Sequence, residues 1–312
     1  MRSNARSLLI LMAALAWAVP GSSSHAQEAS AATTADELNS AIAKSNAYIE
    51  LMNRTLRAAE SWSRYTSWVN LKTGPTGKER YIDYGLYGLY DVRDEIDKAK
   101  AATGQAPRHA SLDETVRRYI DAYQTLAPLI TQANGYYERK DYKTDKAAEG
   151  KALHARMVPA AQAFLRERTA LEAEMTAFKS EVDARSLAAI EAAEGKGARW
   201  QVKNVMIEAG RLMELLPSSA APVVEMKTFD AALARYASAV KDLDTFAQSN
   251  PGKLSVLESQ PRSLLGKMRD MRDKLAKAKG DARKGAGRDL IWIINDYNMM
   301  ISTASSVARF SR

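Results

Sequence analysis

The chain has 312 residues, a net charge of +8 and no cysteine. Without cysteine there are no disulfides, thiolate metal sites, cysteine nucleophiles or lipid anchors attached through a thiol. A chain of this length buries an adequate core without crosslinks.

The first 26 residues read as an export leader. Arg2 and Arg6 supply a positive start, Leu8 to Val19 an apolar stretch, and Ser24-His25-Ala26 small residues for cleavage near Ala26. The apolar stretch is too short to span a bilayer, and no second one of spanning length follows. The mature protein is therefore expected in the periplasm, without a transmembrane segment. Residues 27–35 read as a flexible lead.

A helix is expected from about Asp36 to Asn70. Leu38, Ile42, Ile49, Met52 and Leu56 share one face, and Leu51, Trp62, Tyr65 and Val69 share a second. The breaker LKTGPTGK follows. Tyr81, Tyr84, Tyr87 and Tyr90 then recur every three residues beside the stripe Ile82, Leu86, Leu89 and Ile96, which predicts a further helix despite Gly85 and Gly88. After the loop GQAPRHAS, Ser111 and Glu114 have the spacing of a capping box for a helix from Leu112, with Pro128 as a kink.

The stretch from Tyr136 to Val182 reads as one long periodic segment. Met157, Phe164, Leu171 and Phe178 fall seven apart, interleaved with Ala161, Met175 and Val182, which makes a coiled-coil seam. His154 and Arg168 occupy polar positions of that seam, and a hydrogen-bonded core histidine is the expected role of His154. Gly195 and Gly197 mark a hinge, dividing an N-terminal half (36–194) from a C-terminal half (195–312).

Further helices are expected over 198–216, from Pro222 to Gln248, over 262–279 and at GRDLIWIINDYNMMISTASSVARF. Phe229, Leu233, Tyr236, Val240 and Leu243 line the second of these, and Leu264, Met268, Met271 and Leu275 the third. Leu290, Ile294, Tyr297 and Ile301 share a face of the last, which Ile291, Trp292 and Ile293 broaden. No alternating strand pattern appears. The fold class is therefore all-α: an elongated antiparallel helical bundle with long coiled-coil-like helices.

Residues 253–312 hold 13 Lys/Arg against 6 Asp/Glu, so the positive charge gathers at the C-terminal end. On an exported protein this suggests attraction to anionic envelope surfaces. A solvated helix face is the plainer alternative.

Three stretches carry a family resemblance: GPTGKERYIDYGLY at 74–87, YYERKDYKTDKAAEGKALH at 136–154 and NDYN at 295–298. The chain resembles the YiiG-like family of bacterial envelope proteins, which share a domain of unknown function. The resemblance implies an envelope location and a helical fold, and it transfers no catalytic residue. Members are often lipoproteins, whereas this chain lacks the cysteine that such an anchor needs.

For function, the leading candidate is a ligand-binding groove formed by Arg80, Tyr84, Tyr87, Tyr136, Tyr137, Lys140, Asp141 and Tyr142. Tyrosine offers a flat ring and a hydroxyl, which suits glycans and peptides. The alternative reading is that these tyrosines only pack helix ends together. Asp141, Asp145 and Glu149 would share a helix face with His154 beyond them, candidates for a divalent cation, although Lys140, Lys143 and Lys146 supply ready counter-charges. No nucleophile motif, phosphate loop or dinucleotide fingerprint is present, so no catalytic residue and no cofactor is assigned.

The expected function is that of an exported, non-enzymatic envelope binding or scaffold protein whose partner is a protein, peptidoglycan or an anionic glycolipid. The alternatives are a periplasmic metal-binding protein and an enzyme on acidic polysaccharide. Nucleic acid is not an expected partner of an exported chain.

Overall fold

A computed structural model describes residues 25–217, 222–254, 257 and 259–310. Residues 1–24, which hold nearly all of the expected leader, lie outside the described residues. Among the described residues there are eight α-helices: α1 (His25–Thr66), α2 (Arg93–Thr103), α3 (Ala110–Glu138), α4 (Ala148–Glu194), α5 (Ala198–Met213), α6 (Met226–Ser249), α7 (Ser259–Lys277) and α8 (Gly287–Phe310). Among the described residues there is no strand, only an isolated bridge between Val223 and Asp281. The class is all-α, as the periodicity implies. Helix α1 begins at His25, so residues 27–35 lie within it rather than in an irregular lead.

The chain forms two compact units. The first spans residues 40–181, and the second joins 25–39 to 182–310, so the boundary falls inside α1 and again inside α4.

In the first unit the α4 seam buries against α1 and α3. Met157, Ala161, Phe164, Leu171 and Met175 are fully buried, and Tyr119 of α3 stacks on Phe164 at 5.4 Å between ring centroids. Both apolar faces of α1 are covered as well. Arg168 sits in the seam because its charge has partners: Nη1 donates to the Met52 carbonyl at 3.0 Å and to the Tyr119 hydroxyl at 3.2 Å, and Nε pairs with Glu172 at 2.9 Å. Lys44 of α1 is wholly buried too, held by Asp113 of α3 at 2.9 Å and the Pro107 carbonyl at 2.8 Å. Tyr48 donates to the same carboxylate at 2.7 Å, and burial followed by this bond pushes its own hydroxyl pKa up. Breaking such a pair leaves an uncompensated charge at a cost of about 3–5 kcal/mol. These contacts fix how α1 and α3 meet.

The capping box expected at Ser111 is absent. Residue His109 is the N-cap, Asp113 reaches back to its backbone N–H at 3.2 Å, and Ser111 donates instead to Glu174 of α4. The buried carboxylate of Asp113 has taken the role that Glu114 was expected to play.

In the second unit α5, α6, α7 and α8 form a closed ring of neighbours, each packed on the next and α8 on α5. Phe229, Tyr236 and Leu243 of α6 meet Leu264, Met268, Met271 and Leu275 of α7 in its core. Helix α8 buries Leu290, Ile293, Tyr297, Met300 and Ala304, a narrower face than its composition suggests. Ile294 and Ile301 sit at the edge of that face, and Trp292 is 64% exposed. At Gly280 the chain crosses Val224, whose N–H donates to the Gly280 carbonyl at 3.0 Å. A Cβ there would run into the Val224 carbonyl, and φ is +84°, so only glycine fits.

Candidate functional site

The helix expected over the four tyrosines is not formed. A single 3-10 turn covers Ile82–Tyr84, Gly85 turns at φ +54°, and an extended strap runs on to α2. The strap lies along α1, which supplies the bonds that a helix would have made internally. The Trp68 indole N–H donates to the Gly85 carbonyl at 2.9 Å. Ser61 bonds both the N–H and the carbonyl of Tyr87 at 3.1 Å. Arg64 Nε donates to the Tyr84 carbonyl at 2.5 Å and Arg57 Nε to that of Gly88 at 3.4 Å. Residue numbers fall along α1 as they rise along the strap, so the two run antiparallel.

A three-residue repeat sets side chains on one side of an extended chain of the polyproline II kind. Here it presents the tyrosines to a row of α1 arginines. The Arg57 guanidinium lies 3.9 Å from the Tyr87 ring centroid, Arg64 lies 4.4 Å from the same ring and 5.7 Å from Tyr84, and Arg54 lies 5.0 Å from Tyr90. Arg80 adds a cation 5.3 Å from Tyr81, which stacks on Tyr84. Each such contact contributes about 0.5–1 kcal/mol at an exposed site. Arg54 and Arg57 also pair with Glu95 and Glu60. Among the described residues no carboxylate pairs with Arg64 or Arg80. Tyr84 and Tyr90 are about half exposed, at 50% and 52%.

Beneath the strap is a block of buried rings. Tyr65 of α1 and Trp68, in the turn just after it, pack edge-on at 5.1 Å, Tyr137 meets Trp68 edge-on at 5.0 Å, and Tyr136 meets Tyr137 the same way. His154 binds this block to the loop after α1. Its Nε2 lies 3.2 Å from the Leu71 carbonyl and its Nδ1 2.9 Å from the Tyr65 hydroxyl. A carbonyl only accepts, so Nε2 carries the proton, and a neutral ring then accepts from Tyr65 at Nδ1. With both nitrogens engaged, His154 is the hydrogen-bonded core histidine expected of a polar seam position. Burial pushes the Tyr65 and Tyr137 hydroxyls well above the usual phenol range, so both stay neutral. The Tyr137 hydroxyl is buried with no hydrogen-bond partner among the described residues. Gly150 lies against Tyr136 and Tyr137, where a Cβ would come within 3.0–3.1 Å of both.

Residues 139–147 are a turn between two helices, and Tyr136 and Tyr137 end the first of them rather than start the second. Helix α3 ends at Glu138, Lys140 is left-handed at φ 60°, a 3-10 turn covers Asp141–Lys143, and Lys146 and Ala147 also have positive φ. The shared helix face expected of Asp141, Asp145 and Glu149 is therefore not formed. Asp141 pairs with Arg139 at 2.6 Å. Asp145 caps α4, accepting from Ala147 N at 2.8 Å, Glu149 N at 2.9 Å and the Tyr136 hydroxyl at 2.8 Å. Partial burial pushes its carboxyl pKa up, but these donors outweigh it and the net shift is downward. Among the described residues no group of three or more His, Asp or Glu is placed to hold a cation.

The eight expected ligand-binding residues thus separate. Tyr136, Tyr137 and Tyr142 are buried, the last donating to Asp83 at 2.9 Å. Lys140 pairs with Asp83 at 3.4 Å. Arg80, Tyr84 and Tyr87 are on the strap surface. The residues the sequence did not single out are Arg54, Arg57 and Arg64. They lie on an outward face of α1, and nothing in their spacing says that tyrosines thirty residues later will cover them.

The basic end resolves differently. Arg262 pairs with Asp244, Arg272 with Asp230, Lys267 with Asp296 and Lys274 with Asp289, at 2.6–2.8 Å. These four tie α7 to its two neighbours.

Residues 39–291 match the sequence profile of the family described as "Protein of unknown function (DUF3829)". The chain is 28% identical over 287 residues to the "Uncharacterized protein YiiG" of Escherichia coli (strain K12), covering 85% of this chain and 78% of that protein. No solved structure matches.

Proposed function

The chain belongs to the DUF3829 family, and from that premise we propose that it is an exported, non-enzymatic protein of the bacterial envelope. Its strap binds an anionic glycan or glycolipid. The observation that carries this reading is the row of half-exposed tyrosines stacked on arginines, with Arg64 and Arg80 unpaired by carboxylates among the described residues. A ring face that holds a guanidinium beside it suits a sugar whose acidic group meets the cation. The order of the first residues, a positive start followed by an apolar stretch and small residues, supports export.

Cell fractionation tests the location: the mature chain belongs in the periplasmic fraction with its leader removed, and a cytosolic chain that keeps its leader refutes export. For the ligand, sedimentation with isolated peptidoglycan, lipopolysaccharide and anionic vesicles at low salt should show binding to one of them. Arg64→Gln with Arg80→Gln should weaken it about tenfold. Absence of binding to all three, or unchanged binding by the double variant, overturns the surface reading.

A further inference from the structure

The second unit holds a pocket that plays no part in the proposal above. It lies between the start of α5 and the end of α6, and Lys196, Trp200, Gln201, Asp242, Phe246 and Asn250 line it, with Thr245 and Ser249 beside them. Gln201 is 7% exposed. Its Nε2 donates to the Lys196 carbonyl at 3.3 Å, which fixes the amide orientation and leaves Oε1 as a buried acceptor with no partner among the described residues. Such a group costs about 1–3 kcal/mol when it stays unsatisfied.

The remaining polar groups have the same sense. Asn250 gives one of its two amide N–H groups to the Phe246 carbonyl at 3.0 Å, which leaves Oδ1 to accept. The Thr245 and Ser249 hydroxyls donate to carbonyls one turn back, at 3.0 and 3.1 Å, so only their lone pairs remain. Asp242 is exposed and has no ion pair among the described residues. The site thus offers several acceptors and a carboxylate, and its donors are the second N–H of each amide and the Lys196 ammonium. The Asp242 carboxylate disfavours an anion.

One wall already receives a cation. The Lys196 ammonium lies 4.9 Å from the Trp200 ring centroid, steadied by Glu191 at 3.6 Å. Glu191 also accepts from the Trp200 indole N–H at 3.2 Å and so orients the ring. The Lys196 side chain is 58% exposed and can swing away. We propose that this pocket binds an alkylammonium ligand. The ammonium takes the Gln201 Oε1 and the Asp242 carboxylate, and the carbon chain lies between Trp200 and Phe246. Lys196 occupies part of that place when the ligand is absent.

Titration calorimetry of the mature protein with putrescine tests the assignment, with the Trp200 indole N–H resonance (identified by Trp200→Phe) as the local readout. Wild type should bind in the range of about 0.1–1 mM. Asp242→Asn, a surface change, should weaken binding about tenfold through loss of a charge-assisted bond. Lys196→Met should tighten it about threefold by removing a like charge. No heat and no shift of the Trp200 signal up to about 10 mM putrescine overturns the proposal. So does weaker putrescine binding by Lys196→Met, because removal of a like charge from an ammonium site should not weaken a cation. N-Acetylglucosamine binding with the same Trp200 shift while putrescine gives none also overturns it.

Discussion

Two regions of the molecule gather basic side chains, the tyrosine strap with its α1 arginines in the first unit and helix α7 in the second, and they spend their charge differently. On α7 Arg262, Lys267, Arg272 and Lys274 meet carboxylates of α6 and α8 at salt-bridge distance, so most of that helix's positive charge is spent in holding helices together. Beside the strap Arg64 meets tyrosine faces and a backbone carbonyl, which orient a guanidinium without neutralising it. A count of lysines and arginines therefore locates charge but does not say whether the charge is available. What an arginine packs against decides that.

The largest test of this contrast is Trp68→Ala. The indole is buried, packs edge-on against Tyr65 and Tyr137 and donates to Gly85 of the strap. Its removal should cost about 3–5 kcal/mol and free the strap, seen in denaturant unfolding and in faster amide exchange at residues 85–91. If the strap stays protected, α1 does not hold it through that ring.

A medium effect is expected at the turn below the strap. Asp145→Ala removes the α4 cap and should lower the urea midpoint near neutral pH, by less than Trp68→Ala does. The folded state lowers the Asp145 pKa, so its stabilisation is present above the ordinary aspartate value of about 3.9 and is lost as pH falls through the lowered value. The gap between wild type and variant should thus be level from about pH 5 to 7 and close at lower pH. Urea midpoints across that range check it, and a gap that widens on acidification would contradict the capping role.

Smallest is Arg272→Gln. The guanidinium bridges α7 to Asp230 at 2.8 Å but is well exposed, and solvent screening should make its effect on the urea midpoint the smallest of the three. The same change should leave binding to anionic polymers unaltered. If it weakens that binding as much as the Arg64 and Arg80 changes do, the distinction between spent and available charge fails.

Much of the scaffold is legible in the order of residues. The sevenfold spacing from Met157 to Val182 specifies a buried seam, and those side chains are buried. The role of His154 follows from its position in that seam. Less legible is everything that rests on a partner distant in sequence. Tyr81, Tyr84, Tyr87 and Tyr90 have a spacing that helix and extended strap share, and Ile82, Leu86 and Leu89 tipped the reading toward a helix. Ser61 and Arg64 of α1, with Trp68 just beyond it, decide for the strap by bonding its carbonyls. Likewise Asp141, Asp145 and Glu149 share a helix face only if the chain is helical there, and the left-handed residues at 140, 146 and 147 end that possibility.

The sequence by itself determined that this protein is all-α, where its seam lies, and that a buried histidine would sit within that seam. Periodic burial is a local property, repeated every turn, and needs no knowledge of the partner helix. Only the tertiary structure decided which tyrosines face solvent, which arginines stay unpaired and which carboxylates are consumed as caps. The first two depend on contacts between residues tens of positions apart, and the third on left-handed turn residues at 140, 146 and 147, none of which a helical period encodes.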